Sequence, residues 1–146
     1  MKFTFTSILS ILSFTAAAAP ALAFRPTVKY DNTYDHYSRS LSTVACSDGP
    51  NGLLTRGYSN FGSLPHFPLI GGAPAVSSWN SAGCGTCWSL TYNGKTIYVL
   101  AIDTGRDGFN LSEEAMNMLT NGQAEHLGKV TADASQVGTE KCGFSH

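Results

Sequence analysis

The chain carries little charge and no strong excess of either sign. Of its 146 residues 13% are charged, and 9 Lys and Arg against 10 Asp and Glu leave a formal net charge of −1. Because proteins that bind nucleic acid depend on Lys and Arg to neutralise phosphates, this composition argues against that class of partner. An aromatic content of 11% also argues against a disordered chain. The length predicts a single folded domain.

The motifs of several enzyme classes are also absent from the sequence. It contains no Gly-x-Ser-x-Gly element of the serine hydrolases, no His-Glu-x-x-His zinc motif and no glycine-rich loop placed to cradle a phosphate. The histidines stand in unrelated sequence contexts: His36, His66, His126 and His146. We therefore expect no cofactor and no metal, and we interpret the histidines as surface or core residues.

Long apolar runs are missing except at the N-terminus. Met1-Lys2 provides a basic start, a short apolar core follows, and Ala21-Leu22-Ala23 supplies small residues. This layout is typical of a secretory signal peptide with cleavage after Ala23. A transmembrane anchor is the alternative, because the run carries no charge, but Ser, Thr and Pro20 interrupt it. We predict a signal peptide over 1–23, one domain over 24–146 and no membrane span.

Only four cysteines occur, and export favours their oxidation. They are Cys46, Cys84, Cys87 and Cys142, which allow three pairings that spacing alone cannot distinguish. The Cys-x-x-Cys segment could instead be a redox pair or half of a zinc site. However, a strand-like sequence follows it rather than a helix, and the second Cys-x-x-Cys of a zinc site is missing. We predict two disulfides and prefer Cys46–Cys84 with Cys87–Cys142, which ties the early segment and the C-terminus to one central point.

Strand-like segments dominate the rest of the chain. The clearest is 96–103, a β-branched and apolar run expected to be buried on both faces. Asn93-Gly94 marks a hairpin turn that joins it to a strand over 88–92. Further strands are predicted over 27–30, around 69–71 and over 130–137.

One clear helix is predicted to begin after Ser112, a favoured N-cap residue followed by two glutamates. Asn121-Gly122 ends it, and its apolar face is predicted from Leu111, Ala115, Met118 and Leu119. A short second helix is predicted over 123–127. These elements indicate a mostly β protein with one or two short helices, arranged as a small barrel.

Polar residues at turns and strand ends are the candidates for a functional site. Asp103 closes the buried strand, where the scaffold would fix its carboxylate at the rim, and Asp48 lies in a turn-rich loop. Glycoside hydrolysis needs two carboxylates about 5–9.5 Å apart. Carbohydrate binding fits better, because sugars offer hydroxyls to polar side chains and ring faces to aromatic ones. The candidate set is Asp48, Asn51, Asp103, Asn110 and Tyr34, with Tyr30, Trp79 and Trp88 as further aromatic residues, most of which we expect in the core.

Several segments, in a fixed order, together resemble one protein family. They are Cys46-Ser-Asp-Gly-Pro-Asn-Gly-Leu53, Gly57-Tyr-Ser-Asn-Phe-Gly62, Ile70-Gly-Gly72, Trp79-Asn80, Cys84-Gly-Thr-Cys-Trp88 and Tyr98-Val-Leu-Ala-Ile-Asp103. Over residues 24–143 the chain resembles the cerato-platanin family of small secreted fungal proteins.

The resemblance implies a six-stranded double-psi β-barrel, as in the first domain of expansins, and the disulfide pairing preferred above. It also implies binding of chitin or N-acetylglucosamine oligomers in a shallow groove, with cellulose as a further candidate. Proteins of this family loosen polysaccharide fibres without evident hydrolysis, self-assemble at interfaces and elicit plant defence, and some are allergens. A plant or host immune receptor is therefore an implied partner.

Expansin barrels carry a His-Phe-Asp-Leu-Ser motif whose Asp resembles a catalytic acid, and the matching segment here is Gly108-Phe109-Asn110-Leu111-Ser112. Asn110 cannot donate and recover a proton as a carboxylic acid does. We therefore expect carbohydrate binding and no catalytic residue.

Two alternative functions stay open: a weak hydrolase or lytic transglycosylase that uses Asp103 alone, and a surface-active structural wall protein. Asn110 also begins a glycosylation sequon, which we expect to be unmodified.

Overall fold

The computed structural model describes residues 3–4, 10–11 and 24–145 of the chain. The predicted cleavage site after Ala23 and most of the predicted signal segment lie outside these residues, as does His146. Across the described ranges, no helix has both the length and the apolar character that a membrane crossing requires.

Seven strands form one sheet in the described part of the chain. They are β1 (Thr27–Tyr30), β2 (Ile70–Ala73), β3 (Cys87–Tyr92), β4 (Lys95–Thr104), β5 (Gly108–Leu111), β6 (Lys129–Thr131) and β7 (Asp133–Val137), in the spatial order β6-β1-β5-β2-β4-β3-β7. The expected number of six strands is therefore wrong for these residues. Two differences raise the five strands predicted from the sequence to seven: β5 was not predicted, and the strand predicted over 130–137 is divided at Ala132.

The divided strand lies along both edges of the sheet. β6 pairs with β1 and β7 pairs with β3, although only Ala132 separates the two strands. The amide of Ala132 donates to the carbonyl of Pro26 at 3.1 Å, which keeps this segment hydrogen-bonded through the bend. The sheet is consequently curled, and large apolar side chains such as Phe109, Leu100 and Ile102 are fully buried.

Most predicted strands are confirmed within a residue or two. β1, β3 and β4 match the predictions, and the turn between β3 and β4 has the positive φ angles expected for a tight hairpin, 46° at Asn93 and 78° at Gly94. Four consecutive buried residues, 99–102, confirm that β4 is covered on both faces. β5 was not predicted, because its four residues become a strand through pairing with the distant β1 and β2.

The two predicted helices are confirmed as α1 (Glu113–Thr120) and α2 (Ala124–Leu127). The Ser112 hydroxyl caps α1 by accepting the Ala115 N–H at 3.0 Å. The prediction that Met118 belongs to the buried apolar face of α1 is wrong. Met118 is 38% exposed, whereas Met116 is buried. The helix buries positions 115, 116, 119 and 120, so its core-facing side is rotated relative to the prediction. Four short 3-10 turns complete the structure: Asn32–Asp35, Leu41–Thr43, Phe61–Ser63 and Thr139–Cys142.

Both predicted disulfides are confirmed. Cys46 bonds to Cys84, with Cα atoms 5.4 Å apart, and Cys87 bonds to Cys142, with Cα atoms 5.8 Å apart. All four cysteines are thus paired and buried. The first bond joins the 46–57 loop to the segment before β3, and the second joins β3 to the C-terminal turn, so both attach to one point of the fold.

Candidate functional site

Two candidate side chains from different strands flank a glycine of the sheet. Gly72 of β2 pairs with Asn110 of β5 on one side and with Asp103 of β4 on the other. These two pairings place Asp103 and Asn110 on either side of Gly72 across the sheet, with the register shift between Gly71 and Gly72 on the Asp103 side. Two strand spacings place their Cα atoms about 10 Å apart. We call this arrangement, in which Asp103 and Asn110 flank the buried Gly72, the groove.

The glycines of β2 bring β4 and β5 close together. A Cβ atom on Gly71 would collide with the backbone carbonyl of Asn110, and one on Gly72 would collide with that of Thr104. The register with β4 also shifts between the two glycines. Only residues without a side chain therefore allow β2 to fit between β4 and β5 at this point.

The carboxylate of Asp103 is held by three hydrogen-bond donors. Oδ2 accepts from the Tyr34 hydroxyl at 2.8 Å, and Oδ1 accepts from the backbone N–H groups of Ala45 at 3.0 Å and Thr104 at 2.9 Å. Burial of the phenol, and then the negative charge of Asp103, raise the pKa of Tyr34 far above its usual range. Tyr34 therefore remains a neutral donor that fixes Asp103, and its buried ring packs near Phe61 instead of offering an open face.

The Asn110 side of the groove opens into a cleft. This cleft has a volume of about 430 Å³, and its lining is Lys29, Tyr30, Asp31, Asn32 and Asn110. Lys29 of β1 pairs in register with Asn110 and so continues the polar row across the sheet. Amide, hydroxyl and charged groups are all present, which suits a ligand with many hydroxyl groups. A neighbouring cleft of about 380 Å³ contains Asp35 and Glu113 at the start of α1.

Asp48 is placed differently from Asp103. Its Oδ1 accepts the indole N–H of Trp79 at 2.6 Å and the Ser47 hydroxyl at 3.2 Å. These two bonds, led by that of Trp79, hold the pKa of Asp48 below its usual range. The side chain predicted to contact sugar thus orients an exposed tryptophan.

Asn51 also makes its hydrogen bonds within the protein. Its backbone N–H donates to Asn80 Oδ1 at 2.8 Å, and its side-chain amide donates to the Asn80 carbonyl at 3.0 Å. These bonds hold the 46–57 loop against the 77–82 loop. Asn80 adopts a left-handed conformation, with φ of 58°, and its own N–H donates to the Ala45 carbonyl at 3.3 Å.

The aromatic candidates divide into packed and exposed residues. Trp88 lies half-buried between Phe24 and Phe109, with ring centroids 6.2 and 5.8 Å away, and donates its indole N–H to Thr86. Tyr30 is half-buried and Tyr34 is buried, as expected for most of this set. Trp79 differs, because 57% of its surface is exposed.

The structure therefore brings Asp103, Asn110 and Tyr34 together at the groove, and Asp48 and Asn51 together at the adjoining loops. The two groups meet at Ala45, which bonds to Asp103 through its N–H and to Asn80 through its carbonyl. The roles of Gly72 and Lys29 were missed, because strand register determines them and a single sequence does not reveal it.

The groove has the chemistry of a binding site more than of a two-carboxylate enzyme. The residue across Gly72 from Asp103 is an amide, Asn110, which cannot exchange a proton as glycoside hydrolysis requires. Within the part of the chain that the structure describes, no three His, Cys, Asp or Glu side chains are grouped as a metal ion would need.

Comparisons with known proteins agree with each other. The cerato-platanin family model matches residues 26–144. "Allergen Asp f 15" of Aspergillus fumigatus is 44% identical over 149 residues, which cover 97% of each chain. The crystal structure of cerato-platanin 3 from M. perniciosa superposes with a TM-score of 0.79 at 45% identity, covering 83% of this chain and 100% of that one. The solution structure of the fungal elicitor cerato-platanin gives 0.70 at 37% identity, covering 80% and 95%. None of these names denotes an enzyme.

Proposed function

Because the chain belongs to the cerato-platanin family, we propose that it is a secreted protein that binds chitin or N-acetylglucosamine oligomers in the groove. The observation that carries this proposal is the pairing of Gly72 with both Asn110 and Asp103, which places an amide and a carboxylate on either side of a residue that has no side chain. The carboxylate accepts hydrogen bonds from sugar hydroxyls, and the amide both donates and accepts them. Cellulose offers similar hydroxyls and is the second candidate polymer.

The proposed action on the cell wall is non-hydrolytic. Asp103 lacks a carboxylate partner across the groove, and the carboxylate of Asp48 is bonded to Trp79 and Ser47. Binding can still loosen a wall, because sugar hydroxyls that bond to the protein no longer bond to a neighbouring polysaccharide chain. This expansin-like disruption needs no bond cleavage.

Several further properties belong to the same proposal. A double-psi arrangement of the curled sheet is supported by the position of β6 and β7, which are consecutive in sequence yet lie at opposite edges of the sheet.

One relative is named an allergen and one structural neighbour is named an elicitor. These names support recognition of this chain by a plant or host immune receptor and a part in virulence. We also propose, on the basis of family membership, that the protein self-assembles at interfaces.

Calorimetric titration with an N-acetylglucosamine tetramer tests the binding site. We expect saturable binding by the wild type and at least about tenfold weaker binding by Asp103→Asn, which replaces an acceptor oxygen by an NH2 donor, and by Asn110→Ala, which removes the amide. Gln136→Ala, on the exposed surface of β7, is the matched control and should bind as the wild type does. Equal affinity in all four proteins would show that the ligand, if bound, lies elsewhere.

Product analysis separates binding from catalysis. Purified protein incubated with chitin and with cellulose should release no soluble oligomers and create no new reducing ends. Product that forms in the wild type and disappears in Asp103→Asn would favour the hydrolase or transglycosylase alternative.

A further inference from the structure

Several aromatic side chains of the described residues are exposed, and Trp79 is the one that is hydrogen-bonded to Asp48. Trp79 is 57% exposed, whereas Trp88 is half-buried among aromatic rings. Exposed indole surface forgoes the free energy that burial of such a ring provides. The structure nevertheless contains specific contacts that keep Trp79 in place.

The first contact fixes the edge of the indole ring. Its N–H donates to Asp48 Oδ1 at 2.6 Å, a charge-assisted bond that restricts rotation of the ring. The second contact depends on Gly49, which has a φ of 82°. A Cβ atom at Gly49 would lie 3.1 Å from Cζ2 of Trp79 and 2.7 Å from Oδ1 of Asn80, so glycine allows the ring to lie close to the loop backbone.

The two loops that carry these residues are themselves fixed. Thr55 donates its hydroxyl to the Gly49 carbonyl at 2.7 Å, and Asn51 bonds twice to Asn80. The Cys46–Cys84 disulfide also ties the 46–57 loop to a residue just beyond the end of the 77–82 loop. Trp79 is therefore presented by a preorganised support, which lowers the entropic cost of binding a ligand.

Backbone hydrogen bonds connect the Trp79 loop to the groove. Its neighbour Asn80 donates its N–H to the Ala45 carbonyl at 3.3 Å, and the Ala45 N–H bonds to Asp103 at 3.0 Å. One residue thus separates the tryptophan loop from the groove carboxylate, and the backbone path between them is on the order of 10 Å. A ligand bound in the groove therefore needs to span only about this distance to contact the Trp79 loop.

We propose that the exposed indole of Trp79 is a stacking platform for a neutral pyranose ring of the polysaccharide bound in the groove, with Asp48 as the residue that positions it. A pyranose ring presents C–H groups on its face and hydroxyls at its rim, and a flat aromatic ring flanked by hydroxyl side chains is complementary to both. Such side chains precede Trp79 in sequence at Ser77 and Ser78, which are both exposed. The platform rests on the proposed carbohydrate-binding function and adds a second contact area to it.

The test uses calorimetry and intrinsic tryptophan fluorescence with the N-acetylglucosamine tetramer. Binding to the wild type should change the emission, and Trp79→Ala should weaken binding at least about tenfold. Trp79→Phe, which keeps an aromatic face, should recover part of the affinity. Phe24→Ala removes another exposed aromatic ring, one that contacts Trp88, and should bind as the wild type does.

A double-variant cycle tests the role of Asp48. Asp48→Ala should weaken binding in the wild-type background but have no further effect in Trp79→Ala, because Asp48 acts through the indole. Additive effects would overturn the positioning role and indicate that Asp48 contacts sugar directly. Wild-type affinity in Trp79→Ala would overturn the platform and leave the groove intact, whereas absence of binding by the wild type would overturn both proposals.

Discussion

Asp48 and Asp103 show how the surroundings of a carboxylate decide its role. Asp103 ends a buried strand and receives hydrogen bonds from Tyr34, Ala45 and Thr104, yet it remains half-buried at the groove. Asp48 is exposed, but its carboxylate is engaged by the Trp79 indole. Position in the sequence made both residues candidates for sugar contact. Their hydrogen-bond partners, which come from distant parts of the chain, hold one carboxylate beside Gly72 and the other against the Trp79 indole.

The buried environment of His66 predicts that the stability of the protein depends on pH. Its Nε2 is buried with no hydrogen-bond partner among the described residues, and burial holds the pKa of His66 below its usual value of 6.5, although a backbone hydrogen bond with Tyr98 partly opposes this. The unfolded chain therefore binds a proton at a higher pH than the folded one. Stability should be fully present above about pH 6.5 and fall as the pH decreases towards the lower folded-state pKa.

Urea unfolding at about pH 7.5 and about pH 5 measures this dependence. The free energy of unfolding should be lower at the acidic pH, and His66→Asn should reduce the difference because asparagine does not titrate. His126→Asn is the control, since His126 is exposed on α2 and its replacement should leave most of the difference in place. A difference unchanged by His66→Asn would contradict the account.

The start of α1 depends on a residue far away in the chain. The N–H groups of Glu113 and Glu114 donate to the Asp35 carboxylate at 2.7 and 3.0 Å, and that of Ala115 donates to Ser112. Asp35 thus satisfies two of the donors that a helix leaves free at its first turn.

Replacement of Asp35 should therefore destabilise the protein. We expect Asp35→Ala to lower the free energy of unfolding by about 1–2 kcal/mol, since the partly buried N–H of Glu113 and the exposed N–H of Glu114 lose their acceptor. Asp35→Asn, which keeps one acceptor oxygen, should cost less. Asp107→Ala, at an exposed turn, serves as the control in the same urea measurement. A loss no larger for Asp35→Ala than for Asp107→Ala would argue against this capping role.

Elements with a local signal were predictable from the sequence. β4 has a long apolar run, the β3–β4 hairpin has Asn93-Gly94, and α1 has Ser112 at its start. β5 and the division at Ala132 were not predictable, because both result from pairing with strands distant in sequence. The contribution of Asp35 to α1 was hidden for the same reason, as 78 residues separate it from Glu113.

At the scale of the whole molecule, the sheet order creates the site. β2 lies between β4 and β5, so Asp103 and Asn110 approach each other across Gly72 although each comes from a different strand. The individual residues could be selected from the sequence, but their arrangement required the strand register. The low net charge of −1 suits a partner without charge, since long-range electrostatic attraction contributes little to binding a neutral polysaccharide.

The most direct test of the central claim is a map of backbone amide and tryptophan indole NMR shifts during titration with the N-acetylglucosamine tetramer. We predict saturable shifts that cluster at Gly72, Asp103, Asn110 and the Trp79 indole, with none at the Asn93-Gly94 hairpin. Shifts confined to residues away from the groove and its adjoining loops, or no shifts at ligand concentrations well above those of the protein, would contradict the account.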